Sequence, residues 1–510
     1  MFSSIQSVSL AGLGGLLVDV EADVRFGLPG FSMVGFLSTE VRESGERVMT
    51  AIANSGFNDE PRKIIVNLSP ADVKKQGTSF DLPIAMSVLA SRMEFDEDFL
   101  RDTVFAGELG LDGSVRGVPG ILPMASVAKK AGKKRIVVPL DNACEASFLD
   151  GIENVPVSSL SEAVEYVLQC GDMELLRNES DNDEAKTDAL VYPDFSEIHG
   201  QENVKRAITV AAAGMHNILM IGPAGSGKTM LARAIPGIMP ELTESEREEV
   251  VKIYSVAGKY NDVKSHSTMR PFRNPVCTVK RNAMLGGADG RPGEVSLAHK
   301  GVLFLDEFPE FDRQTIDGLR TPIEDKYVHI SGRNGDITFP SDVLLVAAMN
   351  PCSCGFYPDR KLCRCNENDV RKYLNRVSRP MVDRFDIFTE AGRVSIKQLL
   401  SREKENKSSA EVRGIIETAR EMEEKRLGSY RLVFNSQMDG TMTEELCKPS
   451  NEARELLITA AEKMRLSLRG YHRILKVART IADLRRAEEI NVNDMAEAIH
   501  YRELSVRFWG

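Results

Sequence analysis

The sequence predicts an α/β multidomain protein built around a core with a parallel sheet. Three observations carry this class. Apolar runs at Asn217–Ile221, Val302–Leu305 and Val343–Met349 each end in residues suited to phosphate chemistry, as expected when a ligand sits at the strands' carboxyl ends. An α/β pattern precedes this core, and an all-helical pattern follows it. At 510 residues the chain exceeds one compact core, so about two to four domains are expected.

The first run leads into Gly222-Pro223-Ala224-Gly225-Ser226-Gly227-Lys228-Thr229, a complete Walker A string, and the helical pattern Met230–Ile235 follows. A strand, a glycine turn and a helix N-terminus place backbone N–H groups around the β- and γ-phosphates of a nucleoside triphosphate. Lys228 supplies a cation and Thr229 a hydroxyl for Mg²⁺. The second run ends in Asp306-Glu307, with Asp306 placed to hold Mg²⁺ through water and Glu307 to polarise the attacking water. The third ends in Asn350, whose amide can hold that water against the γ-phosphate. Together they predict a hydrolase site for a nucleoside triphosphate.

Composition sets the remaining bounds. With 42% hydrophobic and 27% charged residues the chain reads as ordinary globular protein. A net charge of −10 does not advertise nucleic-acid binding, although a motor can line a narrow channel with Lys and Arg on an acidic particle. No stretch of membrane-span length lacks a charge, and the start Met1-Phe2-Ser3-Ser4-Ile5-Gln6 lacks the basic opening of a signal peptide. Eight cysteines in so long a chain do not make a disulfide scaffold. The expected compartment is the cytoplasm, with no membrane partner.

Along the chain, residues 1–170 form the first domain. Ile64–Leu68 and Arg135–Pro139 read as strands, and Leu82–Leu89 as a helix with Pro83 in its first turn. Residues 171–195 read as an acidic linker, centred on Glu179–Asp188. The core spans 196–395. Inside it, Tyr327–Ser331 and Asp336–Phe339 flank Arg333-Asn334-Gly335, a strong hairpin signal. Residues 396–510 are helical, with segments at Glu411–Arg426, Ser450–Arg465, Tyr471–Arg486 and Val492–Tyr501, the last starting at Asn493-Asp494.

Further strings add specificity: Arg291-Pro292-Gly293-Glu294, Gly301–Glu307, Ala347–Cys352 and Tyr471-His472-Arg473-Ile474-Leu475. With Gly222–Thr229, they make the whole chain resemble the Mg-chelatase-like AAA+ ATPases of the ComM/YifB group. The resemblance implies a Lon-protease-like N-terminal α/β domain, an AAA+ P-loop core and a C-terminal helical lid. It also implies hexameric rings and a helicase promoting branch migration in recombination and natural transformation, with DNA and recombination proteins as partners. By motif position, Arg384 resembles a trans-acting arginine finger and Arg469 the lid's sensor 2 arginine. The hairpin matches those that ring motors project into their pore. Relatives commonly carry a His pair where this chain has Asn274-Pro275-Val276-Cys277, so any role of those histidines does not transfer.

Ser79, in Gly77-Thr78-Ser79-Phe80-Asp81, matches the Lon nucleophile by position, but Pro119 stands where Lon carries its activating lysine and Asp81 replaces a small glycine. A serine without a base is a poor nucleophile, so the domain resembles a retired protease fold serving assembly or partner binding.

Cys352-x-Cys354 and Cys363-x-Cys365 can close a structural tetrahedral Zn²⁺ site, or can be four reduced thiols in a loop. Basic residues that could meet DNA phosphates are Lys280, Arg281, Arg333, Arg360, Lys361 and Arg364. Against an ATP-driven DNA motor stand two alternatives: an ATP-dependent remodeller of a protein partner, as in Mg-chelatases, and an ATP-dependent protease, which Pro119 disfavours.

Overall fold

The computed structural model describes residues 1–57, 62–172, 192–264, 268–287, 289–332, 335–392 and 406–509. Most of the expected linker therefore lies outside the described residues, as does Arg333 at the hairpin tip.

The N-terminal domain is a seven-stranded sheet built from β1 (Phe2–Ala11), β2 (Gly14–Arg25), β3 (Gly30–Val34), β4 (Lys63–Ser69), β5 (Thr103–Phe105), β6 (Arg135–Pro139) and β7 (Glu153–Val157). Their order is β3-β4-β2-β1-β5-β6-β7. Alternation sets the faces: Val18, Val20, Ala22 and Val24 of β2 are buried while the residues between them are less so. Helices α1 (Thr39–Asn54), α2 (Asp81–Ala90) and α3 (Ile121–Lys130) cover the sheet. The expected helix with Pro83 in its first turn is α2, and it is buried along nearly its whole length. Asp81, at its start, lies inside the domain and is held by two 3.0 Å hydrogen bonds from Arg47. That pairing compensates the burial of a carboxylate, which by itself pushes Asp81 above its ordinary pKa.

Helix α4 (Glu202–Gly214) opens the core, whose strands are β8 (Ile218–Ile221), β9 (Phe272–Arg273), β10 (Val302–Leu305), β11 (Tyr327–Gly332), β12 (Gly335–Pro340), β13 (Leu344–Met349) and β14 (Ile387–Glu390). Five form one sheet in the order β9-β10-β13-β8-β14 with every pair parallel. Their buried, near-continuous Val, Ile, Leu and Phe content is what a sheet covered on both faces requires. β11 and β12 form the expected hairpin, in antiparallel register. The string Arg291–Glu294 proves to be packing: a Cβ at Gly293 would lie 2.4 Å from the Gly286 amide, and Glu294 takes two bonds of 2.6 and 2.8 Å from Arg273.

Helices α5 (Lys228–Ile238) and α6 (Glu244–Val256) belong to the core. The C-terminal region contains the four expected long helices α7 (Ser409–Leu427), α8 (Asn451–Lys463), α9 (Leu468–Leu484) and α10 (Val492–Trp509), with a short unpredicted helix, Gly440–Leu446, between α7 and α8. The last helix begins at Val492, as expected, but it is capped by Asn491 rather than started by Asn493-Asp494, and it runs on to Trp509. Asn491 and Asp494 exchange bonds of 2.9 and 3.0 Å, a reciprocal cap in which Asp494 is the third helical residue. One apolar cluster runs without a break from α4 and α5 into α7, α9 and α10. Phe195 joins that cluster and Asp194 accepts from the Ser409 amide, so residues 192–195 belong to the packed body. The end of α10 returns to the core: Trp509 packs on Phe388 (6.2 Å), Phe388 on Phe385 (6.2 Å) and Phe385 on Phe308 (5.6 Å). Each such pair contributes about 0.5–1.5 kcal/mol beyond burial.

The two α/β bodies meet at α6. Gly120 donates to the Ser255 carbonyl (3.0 Å), Lys252 to the Ser126 hydroxyl (3.1 Å), and Val251 enters the cluster around α3. Pro119 lies in this contact, opposite Gly258. The β1–β2 turn reaches the core hairpin, where a Cβ on Gly12 would come within 3.0 Å of Ile337 and the Thr338 carbonyl. Among the described residues no helix is long and apolar enough to cross a membrane.

Candidate active site

The Walker loop joins β8 to α5. Gly225 and Gly227 have φ of +75° and +84°, and a Cβ on either would meet nothing within 4 Å, so the loop's inner face is an open cradle of backbone. Gly222 is needed for a different reason: a Cβ there would lie 2.2 Å from the Ala391 carbonyl, where the chain leaves β14. Lys228 is buried and folds back over the loop, donating to the carbonyls of Gly222 (2.7 Å) and Pro223 (2.9 Å) and to the Ser226 hydroxyl (3.4 Å). Burial holds its pKa below the ordinary lysine value, with Asp306 opposing the shift. Phosphate oxygens arriving in the cradle would take over from these carbonyls.

The other predicted residues converge here. Thr229 Oγ1 donates to Asp306 Oδ2 at 2.7 Å, and Lys228 Nζ reaches Asn350 Oδ1 at 3.4 Å. β8, β10 and β13 are neighbours in the sheet, so their carboxyl ends bring Lys228, Thr229, Asp306 and Asn350 into one hydrogen-bonded set. The hydroxyl and carboxylate in contact at Thr229 and Asp306 form an oxygen donor set that suits Mg²⁺. Asp306 Oδ1 accepts the Glu307 amide at 3.0 Å, and Glu307 has φ of +52°. That left-handed turn ends the strand and leaves the Glu307 carboxylate exposed, without a protein partner among the described residues.

A contributor that sequence reasoning missed is Gln201. It also sits in left-handed backbone (φ +60°), and its amide donates to the Ser226 carbonyl inside the Walker loop (3.1 Å) and to the Gly392 carbonyl. It lines an open cavity of 780 Å³ that runs past Phe388 and Gly392 to Tyr501 of α10, the size of a small-molecule site. The sequence signal was slight, a Gly200-Gln201 pair just ahead of a helix.

Arg384 and Arg469 do not join this set. Asn217, just before β8, donates its side-chain N–H to the Arg384 carbonyl (3.0 Å), so Arg384 lies at the amino ends of the strands. A four-residue strand spans about 13 Å, which separates this edge from the Walker loop. Arg384 is buried and paired to Glu324 at 2.7 Å. Burial, followed by repulsion from Arg473, Arg320 and Arg469, lowers its pKa against the pull of Glu324. Arg469, exposed in the first turn of α9, therefore stands on the Arg384 side.

All four sulfurs of Cys352, Cys354, Cys363 and Cys365 lie within 4.8 Å of one another. Three of the separations are 3.4, 3.6 and 3.8 Å. A tetrahedron with Zn–S bonds of about 2.3 Å has edges of about 3.8 Å, so the donor set fits zinc. The Tyr357 amide points at Cys352 Sγ (3.5 Å), as outer N–H groups do in thiolate sites. Against the opposing effect of burial, amides of Phe356 and Arg364 help bring Cys354 down to about 6. Burial pushes Cys363 up to about 12. The loop sits beside the cradle: a Cβ on Gly355 would be 3.8 Å from the Ala224 amide.

The DNA-contact candidates fall in separate places. Lys280 and Arg281 are exposed ahead of and within the short helix Arg281–Leu285. Arg360, Lys361 and Arg364 are exposed on the cysteine loop, where Arg360 lies over Tyr357 and pairs with Glu367 at 3.5 Å. Arg333 is outside the described residues.

Family models described as magnesium chelatase subunit ChlI match residues 194–399, subunit ChlI of Mg-chelatase residues 20–142, and the ChlI C-terminal region residues 406–502. The chain is 37% identical over 506 residues to competence protein ComM of Haemophilus influenzae, covering 98% of this chain and 97% of that one. It is 39% identical over 503 residues to the uncharacterized protein YifB of Escherichia coli, covering 98% and 97%. A shorter likeness, 25% over 126 residues, links it to Lon protease 2 of Bacillus subtilis, covering 24% of this chain and 22% of that one. Three ChlI models, full-length relatives and a Walker site on a parallel sheet point to one assignment. The chain belongs to the ComM/YifB family of magnesium-chelatase-like AAA+ ATPases.

Proposed function

We propose that this ATPase is a homo-hexameric ring motor that acts on DNA as a helicase, promoting branch migration in recombination and natural transformation. The observation that carries the ring is the split of the machinery across the sheet. Lys228, Thr229, Asp306, Glu307 and Asn350 gather at the carboxyl ends, while Arg384 and Arg469 stand at the amino ends. A second copy, presenting its Arg384 edge to the Walker edge of the first, would complete each site. In that site Gly222–Thr229 cradle the triphosphate, with Lys228 on the β/γ-phosphates. Thr229 and Asp306 would hold Mg²⁺, which when bound would supply positive charge against the charge developing on the phosphates. Glu307 polarises water that Asn350 holds in line, and the cavity beside Gln201 takes the nucleoside. In trans, Arg384 meets the γ-phosphate, and Arg469 supports it.

The DNA reading is supported by the likeness to a competence protein and by the exposed cations Lys280, Arg281, Arg360, Lys361 and Arg364. Its test is ATP hydrolysis with and without single-stranded and branched DNA. Several-fold stimulation that fades as salt is raised is expected, because phosphate contacts release counterions. Hydrolysis indifferent to any DNA, but raised by a protein fraction, would favour the remodeller of a protein partner. The N-terminal domain serves in this scheme as a docking module on α6 rather than as a peptidase, since the loop bearing Pro119 is engaged with the core.

The cysteine loop holds one structural zinc that braces the chain beside the Walker loop. Purified protein is expected to carry about one zinc per chain, and Cys352→Ser with Cys354→Ser to remove it. Metal analysis of protein prepared without chelator checks this, and an absence of zinc would leave four reduced thiols as the better account.

A further inference from the structure

Beside Arg384 lies a cavity of 380 Å³ whose wall is unusually cationic, with Lys326, Arg384, Arg473 and Lys476 facing the carboxylates of Glu324 and Asp386. Most of these charges have partners. Lys326 pairs with Asp342 behind the wall (3.3 Å), Arg384 with Glu324 (2.7 Å) and Arg473 with Asp386 (3.5 Å). Lys476 does not. Its Nζ donates to the Ser436 carbonyl at 3.1 Å, and no carboxylate lies within ion-pair distance of it among the described residues. Arg320 and Arg469 add to the positive excess around Arg384, and the Nε atoms of Arg384 and Arg320 are buried without a partner. Half-buried cations crowded in this way are unfavourable in the isolated chain. They become favourable when an anion of about two negative charges enters, which is the charge of a terminal phosphate.

Spacing on the helix strengthens the case. Arg469, Arg473 and Lys476 stand four and three residues apart on α9, so they share one face, and that face borders the cavity. We infer that Lys476 is a further catalytic residue of this ATPase, contacting the γ-phosphate of the neighbouring subunit's ATP beside Arg384. The inference rests on the trans reading of Arg384 given under the proposed function. Lys476 forms no covalent bond. It places an ammonium where charge develops on the transferring phosphoryl oxygens, and Glu324, which is half-exposed, is free to swing from Arg384 as the phosphate arrives.

The test uses the full chain under conditions where it assembles. Lys476→Met keeps the aliphatic stem and its packing. It is expected to lower kcat about tenfold or more while moving KM less than about twofold, because the triphosphate is bound mainly by its own subunit's loop. Lys476→Arg should retain most of the rate. Mixing Lys476→Met with Lys228→Ala should recover activity, since some boundaries then pair an intact Lys228 with an intact Lys476. A residue that only props its own lid would not be rescued. Thermal melting and sedimentation establish that each variant folds and assembles, and if Lys476→Met does not, Lys476→Gln is read in the same way. Parent-rate hydrolysis by the folded variant, or a slow variant not rescued where Arg384→Ala is rescued, overturns the role of Lys476 and leaves the trans reading standing. Parent-rate hydrolysis by Arg384→Ala overturns the trans reading itself, and this inference with it.

Discussion

Glu307→Gln is expected to bind ATP about as tightly as the parent and to hydrolyse it about 10²–10³-fold more slowly. Glu307 lies just past the end of β10 in left-handed conformation, at a cost of about 1–2 kcal/mol for a residue with a Cβ. The turn is held by the Glu307 amide bonding to Asp306 Oδ1 and the Glu310 amide bonding to the Glu307 carbonyl (2.7 Å). Neither bond uses the Glu307 carboxylate, so the glutamine keeps the shape and loses the basicity. The contacts of Lys228 and of Thr229 with Asp306 are untouched, which is why affinity should hold while water activation fails. Calorimetric titration with ATP, beside phosphate release, separates the two effects. Turnover at the parent rate would move the base elsewhere.

What could be read before the structure, and what could not, follows from the range of the interactions. The Walker string, the acid pair and Asn350 were legible because each is local: an apolar strand followed at once by a functional residue, repeated three times. The hairpin and the four C-terminal helices were legible for the same reason, through turn chemistry and helical spacing. Gln201 was not, because its role consists of bonds to Ser226 and Gly392, far along the chain. The start of α10 at Val492 was legible, but its cap was not, because Asn491 and Asn493 are equally good caps in isolation. Only the position of Asp494, three residues after Asn491, closes a reciprocal pair. The cysteine spacing alone did not show that the four sulfurs converge; their mutual approach, at separations a tetrahedral zinc site would fit, is a property of the folded loop. Pro119 signalled a missing lysine, but not that its loop is engaged by α6.

The side of the sheet on which an arginine falls is likewise a tertiary fact, and it sets the second large effect. Arg384→Ala is expected to hydrolyse ATP about 10³-fold more slowly than the parent, the scale of a lost arginine finger, while its own Walker loop still binds nucleotide. Asn217 and the segment 384–386 are stitched together at the amino ends of β8 and β14. Asn217 donates its side-chain N–H to the Arg384 carbonyl, and its own carbonyl accepts the amides of Asp386 (2.9 Å) and Ile387 (3.1 Å). Arg502 of α10 adds a bond to the Phe385 carbonyl (2.8 Å). So anchored, Arg384 cannot cross to the other end of the sheet to serve its own Lys228. Replacing it also frees Glu324, which is half-exposed and can be hydrated, so folding should survive. Lys228→Ala alone should be inactive through loss of nucleotide binding. Mixed with Arg384→Ala, it should regain part of the parent rate, because an Arg384→Ala subunit still offers an intact cradle to a neighbour that still offers an intact arginine. The recovered rate should rise with protein concentration, as assembly requires. An active monomer, or mixtures as inactive as their components, would mean that each subunit completes its own site and that the cationic edge serves another purpose.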